Sequence, residues 1–180
     1  MSLLKIARIG HPVLRAPAAA VPADRCTSAE VQQLVDDMVE TMRDSDGVGL
    51  AAPQVYASLR IITVEVRAAS TRLPRPPEVE LTVLVNPTII DHSADRVDDW
   101  EGCLSIPDLR GRVPRWRTVR VTALDRHGRP VTVDAEGFFA RVIQHEVDHL
   151  DGVLFPERMT DLRTLTDVRE FQRHWADRSS

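Results

Sequence analysis

Residues 145–149 read His-Glu-Val-Asp-His. Two histidines four positions apart share a face only where the chain is helical, and there both imidazoles can point at one ion. Glu146 lies one position on, rotated from the ligand direction but near enough to take a proton from water at that ion. The plain alternative is a surface helix with capped or salt-bridged histidines. Val142, Ile143, Val147 and Leu150 around the pair argue against it, because they turn the helix inward and buried imidazoles need partners. The spacing therefore predicts a buried helix from about Phe138 to Leu150, stopped by Asp151-Gly152, with the rest of the chain packed around it.

The rest of the chain supplies strands and two further helices. Thr27 and Glu30 have capping-box spacing, and Val31, Leu34, Val35, Met38, Val39 and Met42 lay one apolar stripe, ended by Asp44 to Gly49. Ile61–Val66 is β-branched and reads as a strand; Arg67–Pro77, with three prolines, reads as a loop. Leu81–Val85 is a second strand, stopped by Asn86-Pro87. Arg117–Asp125 alternates, as do Val131 and Val133 beyond a turn at Arg126–Arg129, which predicts a hairpin with one buried face. A last amphipathic helix is expected over Leu162–Trp175. Strands followed by helices point to an α+β fold in one domain spanning 1–180.

Two histidines leave a catalytic metal short of a ligand, since three protein donors plus water is the usual set. In the segment after His149, Leu150 to Thr160, Glu157 is the one residue of zincin type, but it lies past the Gly152 break. Cys103, in Glu101-Gly102-Cys103-Leu104-Ser105, is the favoured donor, against the alternative of a small buried apolar residue. Cys26, in a polar stretch with no partner motif, stays unassigned. The segment Gly47-Val48-Gly49-Leu50-Ala51-Ala52-Pro53-Gln54 is either a helix end with a buried turn or a functional loop. In the second case the Gln54 amide can donate to an oxyanion, with the Leu104 backbone N–H as second donor. The segment lacks the lysine of a phosphate loop.

These three segments resemble bacterial peptide deformylase: GVGLAAPQ at 47–54, EGCLS at 101–105 and QHEVDH at 144–149, in the family's order. Similarity extends from His11-Pro12-Val13-Leu14-Arg15 to Arg158-Met159. The resemblance implies a compact α+β domain in which antiparallel sheets surround the metal-bearing helix. It implies Cys103, His145 and His149 as ligands of one divalent ion, with Fe2+ favoured and Zn2+ or Ni2+ acceptable. Glu146 would be general base and acid, with Gln54 and Leu104 as oxyanion donors. Val48, Gly49, Glu101, Gly102 and Arg110 would lie along the substrate; Phe138, Arg141 and Val142 would line a methionine pocket. Three positions depart from the common pattern: Arg141 replaces a frequent aliphatic, Tyr56 a frequent glycine, and Trp100 precedes Glu101.

The implied reaction is hydrolysis of the N-formyl group from the formylmethionine of new polypeptides, releasing formate. An endopeptidase or other metal amidase shares HExxH, and is distinguished by internal cleavage without an N-formyl requirement. A metal-stabilised binding module is distinguished by a closed site, with Glu157 or His174 as fourth donor. Composition narrows the partners. The net charge is 23 − 27 = −4, with Lys5 the only lysine, and Asp98, Asp99, Glu101 and Asp108 lie just before the arginine-dense stretch from Arg110 to Arg120. That is not the one-sided stripe of a nucleic-acid binder. No run of 18 apolar residues and no secretory leader is visible, and two cysteines make no disulfide framework, so a cytoplasmic location is expected. A monomer is expected. Transient ribosome contact through Arg163, Arg169, Arg173 and Arg178 is allowed for, with a solvated helix face as the simpler reading.

Overall fold

The structure, a computed structural model, describes residues 2–67 and 77–176. The expected loop 67–77 lies almost wholly outside the described residues, as does Arg178. In chain order the helices are α1 (Ala29–Asp44), α2 (Gly137–Leu150) and α3 (Val168–His174). The strands are β1 (Gly49–Ala51), β2 (Ile61–Val66), β3 (Val79–His92), β4 (Arg96–Cys103), β5 (Ile106–Trp116), β6 (Thr118–Leu124), β7 (Pro130–Glu136) and β8 (Thr166–Asp167). They form two antiparallel sheets, one in the order β1-β2-β3-β6-β7 and one in the order β4-β5-β8. No helix among the described residues is long and apolar enough to cross a membrane.

The larger sheet carries a helix on each face, which is why β2 reads as a continuous apolar run and not as an alternation. Ile62, Val64 and Leu84 point to one side and pack with Ala140, Ile143, Val147 and Leu150 of α2. Ile61, Val83 and Val85 point to the other and meet Val31, Val35, Met38 and Met42 of α1. The second sheet also meets α2, through Glu101 on His145, Arg115 on Asp148 and Arg141 on Val113 O, and has its own apolar cluster that includes Ile106, Val113, Leu154 and Phe155. Every residue from Ala140 to Leu150 is therefore buried. Cys26 is part of the α1 core, and burial pushes its thiol up.

Four local expectations need correction. The α1 cap is Ser28, not a Thr27–Glu30 box: its extended backbone lets the hydroxyl accept from Val31 N at 3.4 Å. The second strand does not stop at Asn86-Pro87. Asn86 adopts a left-handed φ of 54° and its amide grips both backbone groups of Val21 at 2.8 Å. The register to β6 shifts across this bulge, which is where a strand tolerates a proline lacking its N–H. Residues 49–51 are an edge strand and not only a turn. The terminal helix breaks into a 3-10 turn at Leu162–Thr164, then β8, then α3 capped by Asp167. Leu162 and Leu165 remain exposed, so a continuous helix there has no core to cover. The expected hairpin forms as β6–β7, with Val121 opposite Val133.

Arg43 near the end of α1 forks onto the largely buried Glu65 of β2, at 2.7 and 2.8 Å. This hydrogen-bonded pair lowers the Glu65 pKa. Glu65→Gln should cost about 0.5–1 kcal/mol at neutral pH. Because the folded pKa is depressed, that stability is complete above the unfolded value of about 4.3 and vanishes as pH falls through the folded one. Urea melts of both proteins should therefore differ at neutral pH and converge in acid. A gap that persists in acid would mean the pair acts by packing alone.

Candidate active site

The two imidazoles stand one turn apart on α2, with ring centroids 5.0 Å apart and planes at 75°. Cys103 reaches them from the end of β4. There the register to β5 slips from Gly102 opposite Arg110 to Cys103 opposite Ile106, and the irregularity turns the thiol toward the helix. The Cys103 Sγ lies 3.2 Å from His149 Nε2, and the three donors all fall within 4.8 Å of one another. Donors around one tetrahedral ion, at about 2.3 Å for sulfur and 2.0–2.1 Å for nitrogen, sit at this kind of spacing. His149 Nδ1 and Glu146 Oε2 are buried without a hydrogen-bond partner among the described residues, which marks the pocket as built around something further. One thiolate and two imidazoles suit a divalent transition metal, not calcium or magnesium.

Glu101 orders this centre from behind. Its carboxylate accepts from Arg115 Nε at 2.8 Å and NH2 at 3.1 Å, and faces His145 Nδ1 at 2.9 Å. That contact directs the other ring nitrogen, Nε2, at the ion site. Arg115 in turn reaches Asp148 at 2.6 Å, and Arg158 closes the row from the surface onto Asp148 at 2.7 Å. Burial alone would raise the Glu101 pKa, but the His145 and Arg115 contacts hold it well below the usual carboxylate range. Burial opposes a charge on His145, yet Cys103 and Glu101 raise its pKa well above normal, so metal ligation, which needs the neutral ring, would compete with protonation there. Burial, then the positive charges of His145 and Arg115, push His149 well down, so it stands ready as a neutral imidazole. Sequence reasoning missed Arg115. In the structure Gly111, Val113 and Arg115 alternate onto the buried face of β5, an alternation that a glycine and a charge hide in the sequence.

β1 brings the other functional residues alongside. The Gln54 Oε1 accepts from Ala51 N at 2.8 Å, while its Nε2 contacts Ser105 Oγ at 3.2 Å and Cys103 Sγ at 3.5 Å. Glu146 is buried against Gly49 so closely that a Cβ on Gly49 would lie 2.3 Å from its Oε1 and 2.8 Å from Val142 Cγ1. Burial pushes the Glu146 pKa up to about 7. Val48, Phe138 and Val142 belong to the α2 side of the core. Leu104 is half-buried, with its carbonyl held by Arg8 at 2.9 Å. Arg110 lies across Gly102, where a Cβ would meet its guanidinium at 2.3 Å.

Other residues singled out in the sequence sit elsewhere. The guanidinium of Arg141 is taken up by Glu101 and by backbone carbonyls of β4 and β5, and the side chain is buried. Glu157 caps Leu154 N at 2.7 Å and pairs with Arg15, and His174 pairs with Glu170 at 3.4 Å; neither is in the donor cluster. Trp100 packs edge-on against Phe171 of α3 and beside Trp175. Tyr56 is exposed with a left-handed φ of 67°, the backbone state that favours glycine, and meets His11 edge-on.

The sequence model of the family described as Polypeptide deformylase matches residues 3–164. The chain belongs to the polypeptide deformylase family. It is 44% identical over 171 residues to peptide deformylase 2 of Nostoc, covering 94% of this chain and 93% of the relative. To peptide deformylase 2 of Pseudomonas putida it is 47% identical over 156 residues, covering 87% of each. Among solved structures, the Met-Ala-Ser-bound class I type b peptide deformylase of Acinetobacter baumannii superposes with a TM-score of 0.84. Its identity is 45%, and the match covers 88% of this chain and 99% of that one. The deformylase is thus a metal-dependent hydrolase that removes N-formyl groups from nascent polypeptides.

Two outcomes test the centre. A ligand present at about 100 times its Kd stabilises a fold by about 2.7 kcal/mol, so loading the apo deformylase with a divalent transition metal should raise its melting temperature. Cys103→Ala should remove most of that rise in calorimetry; an undiminished rise would place the metal elsewhere. Gly49→Ala should fold but lose about 100-fold in kcat, because displacing Glu146 by about 1 Å is enough to do so. Near-normal turnover in that variant would show that the Gly49–Glu146 approach is not needed.

Proposed function

We propose that Cys103, His145 and His149 hold one ferrous ion, which zinc or nickel can replace, and that Glu146 handles the proton in deformylation. The observation that carries this reading is the buried Glu146 carboxylate, with Oε2 unpartnered, beside the three clustered donors and against Gly49. The ion, when bound, supplies Lewis acidity that makes water nucleophilic near neutral pH and polarises the formyl oxygen. Glu146 takes the proton released as water adds to the formyl carbon, and returns it to the leaving amine. A carboxyl pushed up to about 7 suits both transfers, since it can hold or release a proton near operating pH. The Gln54 Nε2 and the Leu104 N–H donate to the oxyanion. Gln54 is held for this by Ala51 N and Ser105, so little reorganisation accompanies the reaction.

Substrate binding follows from the sheet edge. Among the described residues β1 pairs only with β2 and lies at the end of its sheet, so its other side can accept an extended peptide as an added strand. Val48 and Gly49 would align that backbone, with Gly102 and Arg110 on the opposite bank; Glu101, expected along the substrate, is instead buried behind His145 with its carboxylate fully taken up. Phe138 and Val142 would receive the methionine side chain, which contributes about 1.5–3 kcal/mol if fully buried. The close packing of Glu146, Val142 and Gly49 favours a formyl carbon over bulkier acyl groups. The described elements act as one catalytic unit, since both sheets deliver residues to α2. The substrate is an N-formylated chain emerging from the ribosome, met in the cytoplasm by a monomer. Exposed arginines of the C-terminal segment are the proposed transient contact there, although Arg163 and Arg173 already pair with Asp161 and Glu170.

The test is formate release from a short N-formyl-methionyl peptide by anaerobic, iron-loaded protein, with an N-acetyl twin alongside. Rapid formate release with a silent twin is expected. Glu146→Ala should keep its metal and lose turnover by at least about 100-fold. Full activity in that variant would remove Glu146 from the proton path, and internal cleavage without a formyl group would make the protein a peptidase.

A further inference from the structure

Arg141 and His145 lie one turn apart on α2, and both reach the same carboxylate on β4. Oε1 of Glu101 accepts from Arg115 Nε and from Arg141 NH1, each at 2.8 Å. Oε2 accepts from Arg115 NH2 at 3.1 Å and faces His145 Nδ1 at 2.9 Å. A carboxylate offers about four lone-pair sites, so Glu101 is saturated. The two arginines hold it differently. Arg115 is shared with Asp148, which is also held by Arg158, whose side chain is 48% exposed. That row reaches the surface through Arg158. Arg141 is anchored on main chain: NH1 also donates to Val113 O at 2.8 Å, and NH2 to Val97 O at 2.6 Å. At 6% exposure the Arg141 side chain is shielded from water, and its carbonyl partners lie one on each strand of the β4–β5 hairpin.

We infer that Arg141 is a positioning residue: it pins the Glu101 carboxylate to the backbone of β4 and β5, so that Oε2 stays opposite His145 Nδ1 and the ring keeps its Nε2 on the metal. Helix α2 thereby grips one carboxylate with two side chains a turn apart. A rotation of α2 against the second sheet would have to break both contacts. The same guanidinium joins β4, which ends at Cys103, to β5, which follows it, so it relates the thiol donor on β4 to the imidazole donors on α2. The inference rests on His145 as a metal ligand, the reading given above.

The test uses the full chain loaded with Co2+, comparing wild type, Arg141→Met, Arg141→Lys, Glu101→Gln and the Glu101→Gln/Arg141→Met double variant. The readouts are metal release into a chelator, the visible Co2+ spectrum, thermal melting, and kcat and KM on an N-formyl peptide. Loss of a group that orients a ligand costs about 10- to 100-fold in metal affinity or activity. Arg141→Met should therefore release Co2+ at least about 10-fold faster, with an altered spectrum, lower kcat and unchanged KM. Arg141→Lys should fall between it and wild type. Arg141→Met should add little in the Glu101→Gln background, because the effect runs through that carboxylate.

Wild-type release and spectrum in folded Arg141→Met, with only a lower melting temperature, would overturn the inference and leave Arg141 a brace. A raised KM with unchanged kcat would also overturn it, and put the side chain on the substrate. If Arg141→Met does not fold, Arg141→Lys decides, since wild-type release there would mean that backbone anchoring is not needed. A wild type that binds Co2+ tightly but releases no formate would sink the reaction reading while leaving the metal-release comparison intact.

Discussion

Glu101 is 5% exposed and lies on β4 of the second sheet, against α2. Its carboxylate receives Arg115 and Arg141 and faces the ring of His145, so one anion joins strands β4 and β5 to the helix that carries the metal donors. A buried carboxylate in apolar surroundings would be neutral or displaced. With two guanidiniums and an imidazole it stays charged, and it fixes the directions of all three. The rest of the site inherits this geometry: His145 turns Nε2 outward, β4 ends with Cys103 facing the helix, and Asp148 is drawn into the same row.

That arrangement explains a helix with an unusual interior. Gln144, His145, Glu146, Asp148 and His149 are all buried on α2, among the apolar residues that bind it to both sheets. Most of the polar groups are satisfied in the protein. Gln144 grips both backbone groups of Trp116 at 3.0 Å, and Asp148 is held by two arginines. Removing one member of such a cluster strands the others and costs about 3–5 kcal/mol, whereas the intact cluster adds little net stability. Its contribution is orientation. The groups left without partners, Glu146 Oε2 and His149 Nδ1, are confined to the neighbourhood of the three donors. Polar satisfaction is complete where the protein needs rigidity and incomplete where it performs chemistry.

Legibility followed the range of the interactions. The α1 stripe, the β2 run, the β6–β7 hairpin and α2 were each readable, because apolar periodicity records which face of a segment is buried. The β4–β5 hairpin was not. Its sequence is crowded with Asp, Arg and Pro, and its buried face is partly built from charges that balance one another, so no apolar alternation marks it. The Asn86 bulge was invisible for a related reason: it is held by the Asn86 side-chain amide on the backbone of Val21, far away in sequence, and by the Asn86 N–H on Arg60 O. The terminal segment read as one amphipathic helix because a periodic pattern does not say whether a core lies opposite it.

The sequence by itself determined the reacting groups. His145 and His149 share a helical face by spacing alone, Glu146 follows one of them, and the three motifs mark the family. Tertiary structure decided what those groups can do. Cys103 is 46 residues from His149, and the approach of its sulfur to Nε2 depends on the register slip at the end of β4. The contact between Gly49 and Glu146 depends on β1 lying beside α2, and the role of Arg141 depends on Glu101 coming to it across 40 residues. Spacing along one helix is set by the backbone repeat, which the sequence displays. Distances between segments are set by sheet register and by the burial of charges in matched sets, which only the closed fold specifies.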